Sequence, residues 1–141
     1  LENRALKLLA RREYSRLELK TKLARHAGDA DSLEALLDSL EERGWLSQSR
    51  FVEAFIASRR EKYGSYRIRR ELHAKGIEDE VIAGALKEIE RDELGRARRI
   101  WERKFGAQPR DLRERARQTR FLENRGFSRG TIARVLRQQD E

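Results

Sequence analysis

The chain has 141 residues, of which 38% are apolar, 41% charged and 7% aromatic, and its formal net charge is +8. That size fits one ordinary domain or a few very small units sharing a core. There is no Cys and only one Pro, which excludes disulfides, thiolate metal sites, cysteine nucleophiles and a Pro-rich linker.

High charge with few aromatics is also a signature of disorder. Here the charges interleave with regularly spaced Leu, Ile, Val and Phe, the pattern of helices with solvated outer faces. The spacing predicts helices near residues 3–13, 15–27, 31–43, 48–63, 65–75, 79–93, 94–105, 109–125 and 128–138, and no strands. Ser15 with Glu18 has capping-box spacing and marks one helix start, and Asp31 with Glu34 marks the next. Leu33, Leu36, Leu37 and Leu40 then form an apolar stripe, which Ile82, Leu86 and Ile89 repeat and Ile132 and Leu136 begin again. Pro109 suits a first helical turn, where its missing N–H costs nothing. Gly44, Gly64, Gly76, Gly106 and Gly126 each follow a helical run, as left-handed C-caps do.

The nine helices fall into three sets of three, and an internal repeat supports that grouping. Subtracting 50 maps Leu122 onto Leu72, Gly126 onto Gly76, Phe127 onto Ile77, Ile132 onto Ile82 and Leu136 onto Leu86. The first set is a looser copy, with Leu19 and Leu23 matching Ile68 and Leu72 before a longer turn. The fold expected is therefore all-α: three tandem three-helix repeats, at residues 1–46, 47–93 and 94–141, in an elongated, curved array. Units this small bury too little surface to stand alone and should share faces. Trp45 and Trp101 stand near the starts of units two and three, as junction fillers or as ordinary core aromatics. Phe51, Phe55, Ile68, Leu72, Ile77, Leu122 and Phe127 are assigned to the core, where Leu72→Ala should cost roughly 2–5 kcal/mol.

No catalytic or metal-binding constellation accompanies these helices. His26 and His73 stand singly, without metal-ligand spacing, and no glycine-rich phosphate loop occurs. No cofactor, no catalytic residue and no enzyme activity are expected. No apolar run approaches the roughly 20 residues of a membrane span, there is no signal-peptide pattern, and a cytoplasmic location is expected. The chain begins at Leu1 rather than Met, read as loss of an N-terminal segment.

Charge is distributed unevenly. Asp29 to Gln48 holds six acids and one base, and Glu78 to Glu93 seven acids and two bases. Arg96 to Arg137 holds fourteen bases and four acids. Two stretches concentrate cations: Arg59, Arg60, Lys62, Arg67, Arg70 and Lys75 around Gly64 with Tyr63 and Tyr66, and the helical series Arg113, Arg117 and Arg120 just after Arg110. Such groups grip phosphates and stack on bases. They equally complement an acidic protein groove, or form a solvated helix surface. On charge grounds, replacing Arg67 and Arg70 with Glu should spare folding.

These residues resemble the RecX regulators of the RecA recombinase. The first unit carries ALKLLARREYSRLELKTKL. The second carries RFVEAFIASRREKYGSYRIRRELHAKGI, with Arg50, Phe51, Phe55, Arg59, Gly64, Arg67, Ile68, Glu71, Leu72, Lys75, Gly76 and Ile77 in the family's most diagnostic positions. The third carries RFLENRGF, from Arg120 to Phe127. The family usually has Pro after the Gly of the middle turn; this chain has Ser65, which can cap the helix instead. The resemblance covers nearly the whole chain. It implies a non-enzymatic regulator that lies in the groove of RecA nucleoprotein filaments. There it inhibits strand exchange, ATP hydrolysis and co-protease activity, restraining recombination and the SOS response. The partners expected are the RecA filament and single- or double-stranded DNA, with the chain a monomer. The alternatives are a helical module acting directly on DNA without a recombinase, and a scaffold defined only by charge.

Overall fold

The computed structural model describes residues 1–137. Among them are nine α-helices and no strand: α1 Glu2–Arg11, α2 Arg16–Leu23, α3 Ala30–Glu42, α4 Gln48–Arg59, α5 Ser65–Ala74, α6 Asp79–Arg91, α7 Glu93–Lys104, α8 Leu112–Asn124 and α9 Arg129–Arg137. A single 3-10 turn, Ala24–His26, extends α2. The last residues expected in α9 include position 138, which lies outside the described residues.

Local chemistry sets the helix starts. Ser15 Oγ accepts from Glu18 N at 3.1 Å and the Glu18 carboxylate accepts from Ser15 N at 3.0 Å, a reciprocal capping box. The α3 cap is Asp29, not Asp31: Asp29 is extended, and its carboxylate takes the Ser32 N–H at 2.7 Å. The start of α8 also moves inward. Asp111 accepts from Glu114 N at 2.8 Å while Glu114 accepts from Arg110 N at 2.8 Å, so the cap falls after Pro109 and leaves that proline outside the helix. Helix α4 stops at Arg59, four residues before the expected end.

Helix ends share one device. Gly44, Gly76 and Gly126 have φ of +79°, +84° and +98°, a conformation in which only glycine is unstrained. Ile77 N bonds Leu72 O at 3.2 Å and Gly76 N bonds His73 O at 3.0 Å, and Phe127 with Leu122 and Gly126 with Glu123 repeat the pair at the same lengths. Both are Schellman turns, in which the residue after the glycine packs back on the helix it closes. Gly106, at +68°, closes α7. Gly64 is different: its φ is −80° and it precedes α5 as an N-cap.

Each unit has its own apolar core. The first is built on Leu19, Leu23, Leu33, Leu37 and Leu40, the second on Phe51, Phe55, Ile68, Leu72, Ile77, Ile82 and Leu86, the third on Trp101, Leu122, Phe127, Ile132 and Leu136. Helices pack mainly within their own unit, as α7 with α9, α5 with α6 and α2 with α3. The molecule exposes 9283 Å², whereas a compact chain of 16.6 kDa would expose about 7,600 Å². That excess is what an extended row of small cores produces. Trp101 is buried in the third core, where its indole N–H donates to Gln118 at 2.8 Å. Trp45 is half exposed and lies outside the buried core of the first unit.

Candidate functional site

The two junctions between units are built differently, and the difference decides which cations are free to act. Between units one and two, no main-chain hydrogen bond crosses among the described residues. The junction consists of Lys75 to Glu18 at 2.9 Å, Arg50 to Glu13 at 2.9 Å, the Arg50 guanidinium on the Gly44 carbonyl at 2.6 Å, and Leu17 against Gly76. A cavity of about 360 Å³ lies there between Glu18 and the Phe51 and Phe55 face of α4.

Between units two and three, the backbones themselves join. Gly64 N donates to Arg125 O at 2.6 Å and Tyr66 N to Gly126 O at 3.2 Å. Arg96, fully buried on α7, donates to the Arg60 and Tyr63 carbonyls, both at 2.6 Å, and pairs with Glu93 at 2.9 Å. The guanidinium thus satisfies the C-cap carbonyl of α4 at Arg60, where the helix dipole is negative, and the Tyr63 carbonyl in the turn leading to α5. Glu93 also accepts from Ser65 N at 2.9 Å. Ser65 is therefore the first residue of α5 and not its cap, because a carboxylate from the next helix boundary takes its N–H.

Several of the cations singled out from sequence are committed inside this frame. Arg67 stacks 3.9 Å over Tyr63, pairs with Glu71 at 3.3 Å and reaches Asn124 O at 3.4 Å. Arg59 lies over Phe55 at 4.5 Å and pairs with Glu71 at 3.5 Å. Lys75 is the Glu18 partner named above, and Arg60 stands 4.0 Å from Glu61. Arg67 is accordingly a seam residue, and the expectation that Arg67→Glu spares folding is revised. Lys62, Arg70, Arg113, Arg117 and Arg120 are exposed; among the described residues none has an acidic group within ion-pair distance. Arg70 accompanies Tyr66, which is 61% exposed. Phe51, Phe55, Ile68, Leu72, Ile77, Leu122 and Phe127 are all buried.

The structure brings Lys62 beside three cations absent from the sequence-based set: Arg103, Lys104 and Arg125. They rim a shallow groove of about 220 Å³ floored by Ile100 and Phe121. Lys104 and Arg125 lie 5.5 and 5.0 Å from the Phe121 ring centre, and Phe121 meets Phe105 edge-on at 5.4 Å. Arg125 has a signal in the repeat, since subtracting 50 maps it onto Lys75. Arg103 and Lys104 have none, because their approach to Lys62 depends on how α7 docks on unit two. The free donors and excess positive charge of this arrangement suit it to bind anions. Among the described residues, no group of three or more His, Asp or Glu is placed to hold a metal ion. No helix there is long and apolar enough to cross a membrane.

Residues 47–86 match the RecX second three-helix domain and residues 91–136 the RecX third three-helix domain. The chain is 50% identical to the regulatory protein RecX of Leptothrix cholodnii over 99% of its length and 89% of that protein. It is 44% identical to that of Ralstonia nicotianae over 99% and 88%. The crystal structure of RecX from Lactobacillus salivarius shares the fold, with a TM-score of 0.82 at 18% identity, covering 99% of this chain and 94% of that one. With both matching domains joined in the order found here and the curated relatives aligned almost end to end, the chain belongs to the RecX family of regulatory proteins.

Proposed function

We propose that this chain binds RecA nucleoprotein filaments in the cytoplasm, as a monomer, and lowers their ATPase, strand-exchange and co-protease activities. It uses three units, at residues 1–46, 47–93 and 94–141, and no cofactor or catalytic residue of its own. Family membership points to a regulator, and one structural observation supports how it acts. Units two and three are clamped through Gly64, Gly126 and Arg96, so their surfaces sit at fixed spacing. Several weak attachments on one rigid frame gain avidity without any single deep pocket, which suits a repeating filament. The test is DNA-dependent RecA ATPase with this chain titrated in. Inhibition at stoichiometric amounts is expected, and unchanged hydrolysis overturns the proposal.

The second reading, direct action on DNA without a recombinase, is favoured by the exposed cations of α8. It predicts binding to bare DNA that weakens steeply with salt. Binding seen only when RecA is present counts against it.

A further inference from the structure

We infer that the seam between units two and three, together with one ridge of α8, is a track for the phosphodiester backbone of a single nucleic-acid strand. The inference deepens the proposed action on nucleoprotein filaments by assigning nucleic-acid binding to particular residues. It also stands on bare DNA.

Four cations meet at the seam groove against one acid, Glu61. The Glu61 carboxylate faces Arg60 and Arg99, at 4.0 and 3.8 Å, and leaves the groove unneutralised. Arg103 and Arg125 are oriented by carbonyls, Glu61 O at 2.7 Å and Lys62 O at 3.2 Å. A carbonyl fixes a guanidinium without cancelling its charge, so its other N–H groups remain available to a phosphate. Lys62 and Lys104 have no acidic partner among the described residues.

The groove continues onto α8. Arg113, Arg117, Phe121 and Arg125 follow one another at four-residue steps, a ridge that climbs about 6 Å per step. Successive phosphates of one strand repeat on a similar scale. Arg113 and Arg117 make no ion pair among the described residues, the neighbouring Glu114 carboxylate being held by Arg110, and they repel each other, a strain that a polyanion relieves. Phe121 carries cations near its ring and supplies the apolar floor, so phosphates and not stacked bases are the groups gripped here. A narrow row of cations, flanked by Arg120 and ending in a groove of about 220 Å³, follows one backbone and does not seat a duplex. The even step of the cations and their lack of ion-pair partners match the regular repeat of one phosphodiester backbone, which is why nucleic acid is the occupant proposed.

The experiment measures affinity for a fluorescent oligothymidine and for a duplex of equal length, without recombinase, across a salt series. Three proteins are compared: wild type, Lys62→Gln with Lys104→Gln, and the control Lys7→Gln with Lys22→Gln on exposed α1 and α2 positions. The seam lysines make no ion pair among the described residues, so both variants should melt like wild type. The seam variant is expected to bind the single strand more weakly, with a log–log salt slope shallower by about 1.4, which is about 0.7 for each phosphate no longer neutralised. Adding Arg117→Gln should remove about 0.7 more, while the control keeps the wild-type slope. Equal slopes for seam variant and wild type overturn the inference, as does a weakening confined to the duplex. If wild type binds no oligonucleotide and the seam variant is impaired only in RecA inhibition, the occupant is an acidic protein surface. The track is then wrong while the filament proposal stands. Oligonucleotide binding that depends on the seam, without any effect on RecA, sinks the filament proposal and keeps the track.

Discussion

Gly64 and Gly126 meet backbone to backbone across the seam of units two and three. A Cβ on Gly64 would overlap the Gly126 carbonyl, and one on Gly126 would strike Arg67. The close approach brings Gly64 N to 2.6 Å from Arg125 O and Tyr66 N to 3.2 Å from Gly126 O. Gly64 has an ordinary φ of −80°, so its demand is for space and not for an unusual backbone.

Gly64→Ala is therefore expected to open the seam, although alanine suits that backbone. Overpacking of a tight interface costs about 1–3 kcal/mol. Gly28→Ala is the control, since nothing lies within 4 Å of a Cβ there. Thermal unfolding of the two variants checks the claim: Gly64→Ala should melt well below wild type and Gly28→Ala close to it. Equal melting would mean the backbones can part at no cost.

Arg96 makes the same seam hard to replace by charge alone. Removing it leaves the Arg60 and Tyr63 carbonyls without their donor and the Glu93 carboxylate without its ion-pair partner, at 15% exposure. Breaking one side of a buried pair costs about 3–5 kcal/mol. Arg96→Ala should lower the stability measured by urea unfolding by that amount, whereas Arg113→Ala on the exposed face of α8 should change it by less than about 0.5 kcal/mol. A mild Arg96→Ala would show that water replaces the guanidinium at the α4 terminus.

These two positions mark how far sequence carries. The helices, the apolar stripes and the repeat are legible because they depend on periods within one segment: Leu72, Gly76 and Ile77 recur as Leu122, Gly126 and Phe127. Gly64 reads as another C-cap, because a glycine after a helix looks the same whether it serves φ or close approach. Arg96 is hidden in a basic stretch of fourteen cations, since burial of one guanidinium is decided by the carbonyls of a different unit. The cations around Gly64 are the most suggestive local feature, yet Arg59, Arg67 and Lys75 are held by Glu71 and Glu18. Local spacing shows charge, and only packing shows which charges are already paired.

The first junction should respond to acid. Burial raises the Glu18 pKa, but hydrogen bonds from Arg12 and Lys75 and from the Ser15 backbone outweigh it and hold the carboxyl below its ordinary value. The stability this group contributes is fully present above the unfolded pKa of about 4.3 and is lost as pH falls through the lower folded value. Glu18→Gln should therefore flatten that part of the stability-versus-pH curve and lower stability at pH 7. Unfolding midpoints from pH 7 to pH 2 check this. A variant curve parallel to wild type would mean that Glu18 titrates alike folded and unfolded.

Arg67 and Arg70 sit three residues apart on α5 but should behave oppositely. Arg67 lies over Tyr63, pairs with Glu71 and reaches the end of α8 at Asn124; a glutamate in its place would face Glu71 across the same turn and could hold none of these partners. Arg67→Glu is expected to destabilise by roughly 1–3 kcal/mol, the range for breaking a specific side-chain network. Arg70 is exposed beside Tyr66, so Arg70→Glu should leave stability within about 0.5 kcal/mol of wild type. If Arg70→Glu weakens RecA inhibition without shifting the melt, α5 contributes to filament binding. Inhibition by Arg67→Glu should be judged only per folded molecule, because part of its decline will reflect the opened seam. Matching melts for the two variants would remove Arg67 from the junction.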